Sequence, residues 1–525
     1  MSTNSRSDKI LFWASFFTLI AAGIGFAIRG AILGDWAKQF GFTKSELGGI
    51  TGGGLVGFGF TIIFFSFIAD KVGYGNLMKI AFFFHFSSAV VTLAATPVFQ
   101  AYGKDACYWC LWVGMFLFSL GNGTCEAVIN PLTATLYPKE KTHWLNILHA
   151  GWPGGLILGA MLGLMFDGIG DIRWEIQMSV FLVPVALYGL MMFRRPFPKS
   201  EASTSGVSIG TMLLQFASPI LLFLVLIHAM VGYVELGTDS WISNITGGIL
   251  EDKQKGLMLF MWTSGLMFVL RFFAGPIVHH INPLGLLFAS AILASLGLLL
   301  LGNSDGAFMC IVAATVYGLG KTFFWPTMLG VVSERFPKGG ALALGIVGGV
   351  GMLSAGLLGG PGIGYKQDYF ASSKLKELSP DAYGRYKALA SDGSDDQKSF
   401  LMFPAITGLD GGKVAVVADG GKSLKGDIEA IGGESKLTEE KYKSLRDLND
   451  WWKTKGEPNT KDDKEKVAKA GDYGGRQALI YTAAVPATMA LCYLLLILYF
   501  RAIGGYKQVH IGDPHGGMSE PATPQ

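Results

Sequence analysis

Charge is scarce in this chain: Asp, Glu, Lys and Arg make up only 15% of its 525 residues, where a soluble domain carries about a quarter. A water-soluble enzyme of this length is therefore disfavoured. Cysteine is scarce too, with five residues. Cys107 and Cys110 have CxxC spacing, but no second pair completes a metal site, so they read as packing residues, and so do Cys125, Cys310 and Cys492. No small-residue cleavage site follows the first apolar run, which continues for more than about 20 residues into Trp36-Ala37-Lys38-Gln39-Phe40; it is a helix rather than a cleaved signal. Net charge is only +3. No enzymatic activity, cofactor, metal or nucleic-acid partner is expected.

What the chain has instead is apolar runs long enough to cross a hydrocarbon layer, which takes roughly 20 helical residues. They lie at 10–34, 47–69, 77–98, 106–136, 144–166, 175–193, 217–243, 257–279, 284–302, 308–334, 340–362 and 477–501. Twelve transmembrane helices follow. Glycine, at 72 residues, falls inside these runs, as at Gly52-Gly53-Gly54 and from Gly345 to Gly351, and small residues let membrane helices approach closely. If the N-terminus is inside, the inner loops hold Arg6, Lys9, Lys71, Lys79, Lys139, Lys141, Arg194, Arg195, Lys199, Arg335, Lys338, Arg501 and Lys507. The outer loops hold Lys38, Lys44, Lys104, Arg173, Lys253 and Lys255. The positive-inside rule then puts both termini in the cytoplasm, with the chain in a bacterial-type inner membrane.

The chain repeats itself. Gly121-Asn122-Gly123, Asn130-Pro131 and Tyr137-Pro138-Lys139 are echoed by Gly318-Leu319-Gly320, Trp325-Pro326 and Phe336-Pro337-Lys338. Glycine pairs follow at Gly154-Gly155 and Gly348-Gly349. Such internal repeats build transporters with a site between the halves. The expected division is an N-terminal six-helix bundle (1–193), a cytoplasmic linker (194–216) and a C-terminal bundle (217–364 with 476–525). An extracytoplasmic insert (365–475), rich in Lys, Asp, Glu and Gly, separates the last two helices. Thr438 to Lys455 reads as helical, so a small, partly ordered cap is expected.

Ionisable groups inside membrane helices cost roughly 2.5–3.5 kcal/mol each on insertion scales and so need a partner or a function. Here they are Arg29, Glu126, His149, Glu235, Asp239, Arg271 and Lys321, with His228 nearby. At about 1.5 Å per residue, Lys321 falls near the midplane, with Glu126 and His149 to its inner side and Glu235 to its outer side. They converge on one polar cavity. Lys321 could instead be a structural partner of Glu235 or Glu126, Arg271 a brace within the second half, and His228 structural; Asn130-Pro131 and Trp325-Pro326 could be simple kinks.

After the second run comes Ser66-Phe67-Ile68-Ala69-Asp70-Lys71-Val72-Gly73, followed by Lys79. This resembles the signature between helices two and three of the major facilitator transporters. It implies that Asp70, Lys71 and Gly73 form an inner gate, in an all-α major facilitator fold of two pseudo-symmetric six-helix bundles. Glu126, Asn130-Pro131, Leu145-Asn146, His149 and Trp152, with Glu235, Ser240-Trp241, Asn244, Trp325-Pro326-Thr327 and Ile346 to Gly349, resemble the fucose/galactose/glucose proton symporter family more closely. That resemblance implies proton-driven uptake of a hexose or deoxyhexose, and the chain is expected to act as a monomer. The expected solute-binding residues are Glu126, Asn130, Asn146, His149, Trp152, Glu235, Asn244, Lys321, Trp325 and Arg29, with Glu126, Glu235 and Asp239 serving coupling to protons or sodium.

The family's helix-one carboxylate is missing, and Arg29-Gly30-Ala31 stands there. Coupling would then rest on the remaining carboxylates, and a cavity holding Arg29, Arg271 and Lys321 would suit an anionic solute such as a sugar acid or a nucleoside-like compound. An efflux carrier for amphipathic compounds would want a more apolar cavity. A membrane sensor would use the insert for ligand binding, and uptake that survives deletion of the insert excludes it.

Overall fold

The computed structural model describes residues 5–511 apart from 43, 53, 170, 171, 391 and 392. The first six membrane helices are α1 (Arg6–Ala31), α2 (Gly54–Val72), α3 (Tyr74–Leu93), α4 (Ala95–Leu136), α5 (Lys141–Ile169) and α6 (Trp174–Met192). The second six are α7 (Pro219–Ile249), α8 (Lys253–Arg271), α9 (Ala274–Gly302), α10 (Gly306–Arg335), α11 (Pro337–Leu378) and α12 (Lys443–Ala502). Among the described residues eleven helices are long and apolar enough to cross a membrane, and α8 is the twelfth. It is less apolar because its 19 residues include Lys253, Lys255 and Arg271. It packs on α5 and α7 and closes the second bundle.

Several boundaries differ from expectation for local reasons. α4 begins at Ala95 rather than 106 because the chain re-enters the helix after a single left-handed residue, Gly103 (φ 83°). α11 runs on to Leu378 through a π turn at Ala355–Gly359. Within α12 the continuous helix Glu457–Thr482 abuts Ala484–Ala502. The flanks of the insert are therefore helical extensions of membrane helices. Among the described residues the rest of the insert forms a two-stranded antiparallel ribbon of β1 (Gln397–Lys398) and β2 (Ile406–Thr407), short helices, and a core of its own around Tyr386, Val417, Leu424 and Trp451. Arg385 grips the fully buried Asp463 with two bonds of 2.7 Å.

Both described ends and the segment joining the halves share one face, here called the terminal face; Phe12 packs on Tyr137 and Tyr506 bonds Glu334 there. The insert lies on the other. It reaches the first half, where Lys104 sits 5.4 Å from the Tyr442 ring. Close contact between helices depends on glycine at many crossings, of which two matter most for the site. A Cβ on Gly232 (α7) would lie 1.8 Å from the Gly351 carbonyl (α11), and one on Gly349 would lie 2.9 Å from the Gly59 carbonyl, across the two halves.

Candidate functional site

Two prolines create a demand at the centre of the molecule. Pro153 in α5 and Pro326 in α10 carry no amide hydrogen, so the carbonyls four residues earlier, those of His149 and Thr322, lose their helical donors. One guanidinium supplies both. Arg271, at the end of α8 and 1% exposed, donates Nη1 to the His149 carbonyl at 2.7 Å and Nε to the Thr322 carbonyl at 2.7 Å. Its Nη2 donates to Glu235 Oε1 at 2.9 Å. Only arginine presents such a planar set of donors. Because His149 belongs to the first half, Arg271 also ties the two halves together.

Glu235 sits on a π turn, Tyr233–Gly237, inside α7; such bulges turn a side chain out of helical register. Its second oxygen accepts the Trp325 amide at 3.2 Å. Trp325 follows the break in α10 between Lys321 and Phe324, so the break frees that amide for Glu235.

Facing this cluster is Glu126 on α4. Asn130, one turn on, donates Nδ2 to Glu126 Oε2 at 2.6 Å, and its Oδ1 lies 2.8 Å from His149 Nε2. With the amide in that orientation His149 donates from Nε2. Among the described residues no base pairs with Glu126, whereas Glu235 has Arg271 and Asp239 has Lys321. Between the clusters lies a cavity of about 30 Å³. Its polar wall is Glu126, His149, Glu235 and Arg271, and its apolar wall is Phe58, Trp152, Leu236, Trp325 and Met352. A water needs roughly 10–15 Å³ of such space, and sites for drug-sized ligands span about 300–1,000 Å³. The cavity has room for a water or two.

Closure at the terminal face is carried by residues at the start of α5 and the end of α10. Glu334 Oε1 accepts Thr142 Oγ1 at 2.6 Å and the Thr142 amide at 3.3 Å, while Oε2 accepts Tyr506 at 2.7 Å. Lys141 donates to the Ser333 carbonyl at 3.2 Å and to Glu201 at 2.9 Å. Deeper in, Asn146 Nδ2 donates to Thr327 Oγ1 at 3.1 Å.

Two six-helix halves meeting at a charged central cavity are the architecture of one transporter family, and residues 15–360 match that family, described as Major Facilitator Superfamily. The chain belongs to the Major Facilitator Superfamily. It is an integral membrane transporter and not an enzyme. Among solved structures it is similar to the E. coli fucose:proton symporter FucP (16% identity, TM-score 0.57, covering 69% of this chain and 93% of that one). It is similar as well to the proton:xylose symporter XylE (13%, 0.56, 72% and 90%) and to a bacterial homologue of the lysosomal transporter Spinster (13%, 0.58, 94% and 97%). A curated relative, the gentisate transporter of Corynebacterium glutamicum, is 23% identical over 189 residues, a stretch spanning 36% of this chain and 40% of that relative.

Against this Major Facilitator frame the residues singled out in the sequence divide. Glu126, His149, Trp152, Glu235 and Trp325 line the cavity; Asn130 links Glu126 to His149; Asn146 lies in the seam below. Arg29 lies elsewhere. It is buried inside the first bundle, its guanidinium 3.9 Å and 4.9 Å from the Phe118 and Phe181 rings, bonded to Ser88 at 2.7 Å. It therefore occupies a face of α1 turned to α4 and α6, and its charge is held by aromatic faces. Asn244 is exposed and away from the cavity. Lys321, fully buried, pairs with Asp239 rather than with Glu235 or Glu126. Trp241 donates to the Gly360 carbonyl at 2.8 Å as a packing residue.

At the signature, Gly73 (φ 86°) makes the turn into α3, Lys71 is exposed, and Asp70 is half-buried beside Ser200 and Tyr74. Arg271 does line the cavity, as expected, but its role in serving the two proline-freed carbonyls was not foreseen, and Thr142 with Glu334 at the closed face were not picked out. The prolines four residues beyond His149 and Thr322 were the available signal for Arg271.

Proposed function

We propose that this transporter carries a small polar solute such as a hexose or deoxyhexose by alternating access, coupled to protons. Uptake would run across a cytoplasmic membrane, with the terminal face inside, in keeping with the excess of Lys and Arg on the corresponding loops. The protein would act as a monomer, residues 1–193 and 217–364 with 476–525 rocking about the central cavity.

The observation that carries this reading is the chain Glu126–Asn130–His149 on the cavity wall. Ionised Glu126 has no base to compensate it, so its protonation and the arrival of a hydroxyl-bearing solute are coupled at one carboxyl. Trp152 and Trp325 offer apolar faces to a sugar ring, and few polar groups on an apolar wall suit a selective pocket. FucP and XylE are named as proton symporters of fucose and xylose, which supports the same solute class. A potential of about 100 mV supplies about 2.3 kcal/mol per proton moved, enough to concentrate a solute roughly fiftyfold.

The test is Glu126→Gln. Proton-driven accumulation is lost, while solute counterflow either persists, assigning Glu126 to coupling, or falls as well, assigning it to the solute too. Normal accumulation in this variant refutes the reading.

A second reading, an organic anion such as a sugar acid, aromatic acid or nucleoside-like solute, is favoured by the likeness to a gentisate transporter. The charge balance opposes it: Arg271 and Lys321 are each paired to a carboxylate and Arg29 is turned away. A thermal-shift panel of hexoses, sugar acids, gentisate and nucleosides separates the two, because a ligand at 100 times its Kd stabilises by about 2.7 kcal/mol.

A further inference from the structure

A cavity of about 1260 Å³, far larger than the central one, opens at the terminal face between the start of α3, the end of α6 and the segment that joins the halves. Its composition is divided. Lys71, Lys79, Arg194, Arg195 and Lys199 line it against a single acid, Asp70. None of the five bases has a carboxylate partner among the described residues. Lys79 bonds Asn76 Oδ1 at 3.3 Å, Arg195 bonds the Met191 carbonyl at 2.8 Å, and Arg194 lies 5.1 Å from the Phe193 ring. The remaining wall is apolar and turns toward the lipid: Leu190 is 75% and Phe193 66% exposed, with Phe82 and Phe197 beside them.

From these observations we infer that this cavity binds the headgroup of an anionic phospholipid from the leaflet meeting the terminal face, with the phosphodiester among the five bases and the acyl chains along Leu190 and Phe193. A soluble anion would have no use for the apolar wall. A zwitterionic lipid would bring an ammonium group into a site already four positive charges in excess, five bases less one acid. Bases beside an anionic headgroup strengthen attachment by roughly fivefold each. The site also touches the closed face: Asp70 lines it, and Asp70 Oδ2 lies 3.6 Å from where a Cβ on Gly340, at the start of α11, would stand. An occupied site thus adjoins the contact between the halves, and lipid there biases their opening.

The full-length protein is purified in neutral detergent, equilibrated with equal amounts of phosphatidylglycerol and phosphatidylcholine, and the retained lipid is counted by native mass spectrometry. Wild type is expected to retain phosphatidylglycerol at least tenfold over phosphatidylcholine, and the variant Lys71→Gln/Lys79→Gln/Arg194→Gln/Arg195→Gln/Lys199→Gln to lose that preference. Lys461→Gln/Lys464→Gln, on the insert, should keep it. Should the fivefold variant fail to fold, Phe193→Trp keeps every base, and its fluorescence is expected to be quenched more by brominated phosphatidylglycerol than by brominated phosphatidylcholine. Equal retention of the two lipids, retention unchanged in the fivefold variant, equal quenching, or displacement of the lipid by millimolar inorganic phosphate would each overturn the assignment, the last pointing to a free-anion site.

Discussion

Replacing Arg271 by Met removes one guanidinium and strands three acceptors at once. Its Nη2 holds the buried Glu235 carboxylate, and its other two bonds serve the carbonyls that Pro153 and Pro326 leave without donors. Breaking one side of a buried ion pair costs about 3–5 kcal/mol. Hydrogen bonds between membrane helices average about 0.6 kcal/mol each in double-mutant cycles, so the two carbonyls add roughly 1 kcal/mol. Arg271→Met is therefore expected to destabilise by about 4–6 kcal/mol, read by unfolding in mixed micelles of increasing SDS fraction. Two partner variants dissect the total. In a Glu235→Gln background no carboxylate is stranded, and the cost of Arg271→Met should fall by at least about 2 kcal/mol, since most of the ion-pair penalty disappears. In a Pro153→Ala background the His149 carbonyl regains a helical donor, and the cost should fall by roughly 0.6–1.7 kcal/mol. Arg271→Lys should recover little, since one ammonium cannot meet three acceptors that lie in the plane of a guanidinium. The reasoning is refuted if Arg271→Met costs under about 1 kcal/mol, or the same in both backgrounds as alone.

Glu334→Ala frees Thr142 and Tyr506 and should open the terminal face, raising maleimide labelling of a cysteine placed at Asn146 by tenfold or more; each 1.4 kcal/mol of lost closure is a factor of ten. Gly232→Ala forces a methyl to within 1.8 Å of the Gly351 carbonyl, so α7 and α11 must separate, at a cost of about 1–3 kcal/mol; an unchanged melting point contradicts the close approach. Asp463→Ala leaves Arg385 without its two-bonded partner, and trypsin should then cut within residues 365–475 many times faster while thermal unfolding of the membrane helices is unchanged.

The twelve-helix plan was legible because it depends on local quantities. Apolar length marks each helix, and the repeated Asn-Pro and Trp-Pro positions mark the two halves. Even α8, the least apolar, was visible as a run from 257 to 279. Glu126, Asn130 and His149 were legible together because they lie on adjacent helices at similar depth, where counting residues from the helix centre locates a side chain along the membrane normal. The same counting failed for Arg29 and Lys321. Depth along a helix says nothing about rotation around it, and Arg29 is turned into its own bundle among Phe118 and Phe181. The partners of Glu235 and Lys321 depended on a π turn in α7 that shifts the faces of the residues around it, a departure from helical register with no local sequence mark.

The sequence by itself determined that the chain spans a membrane with twelve helices in two related halves, and that several charges lie within them, because burial in hydrocarbon constrains each helix separately. Only the tertiary structure decided which charges meet. Arg271 joins Glu235 and two proline-freed carbonyls, Lys321 joins Asp239, and Glu126 is left with Asn130 and, among the described residues, no base. Pairing is set by how helices rotate and approach one another, and that follows from packing contacts summed over the whole bundle rather than from any one segment.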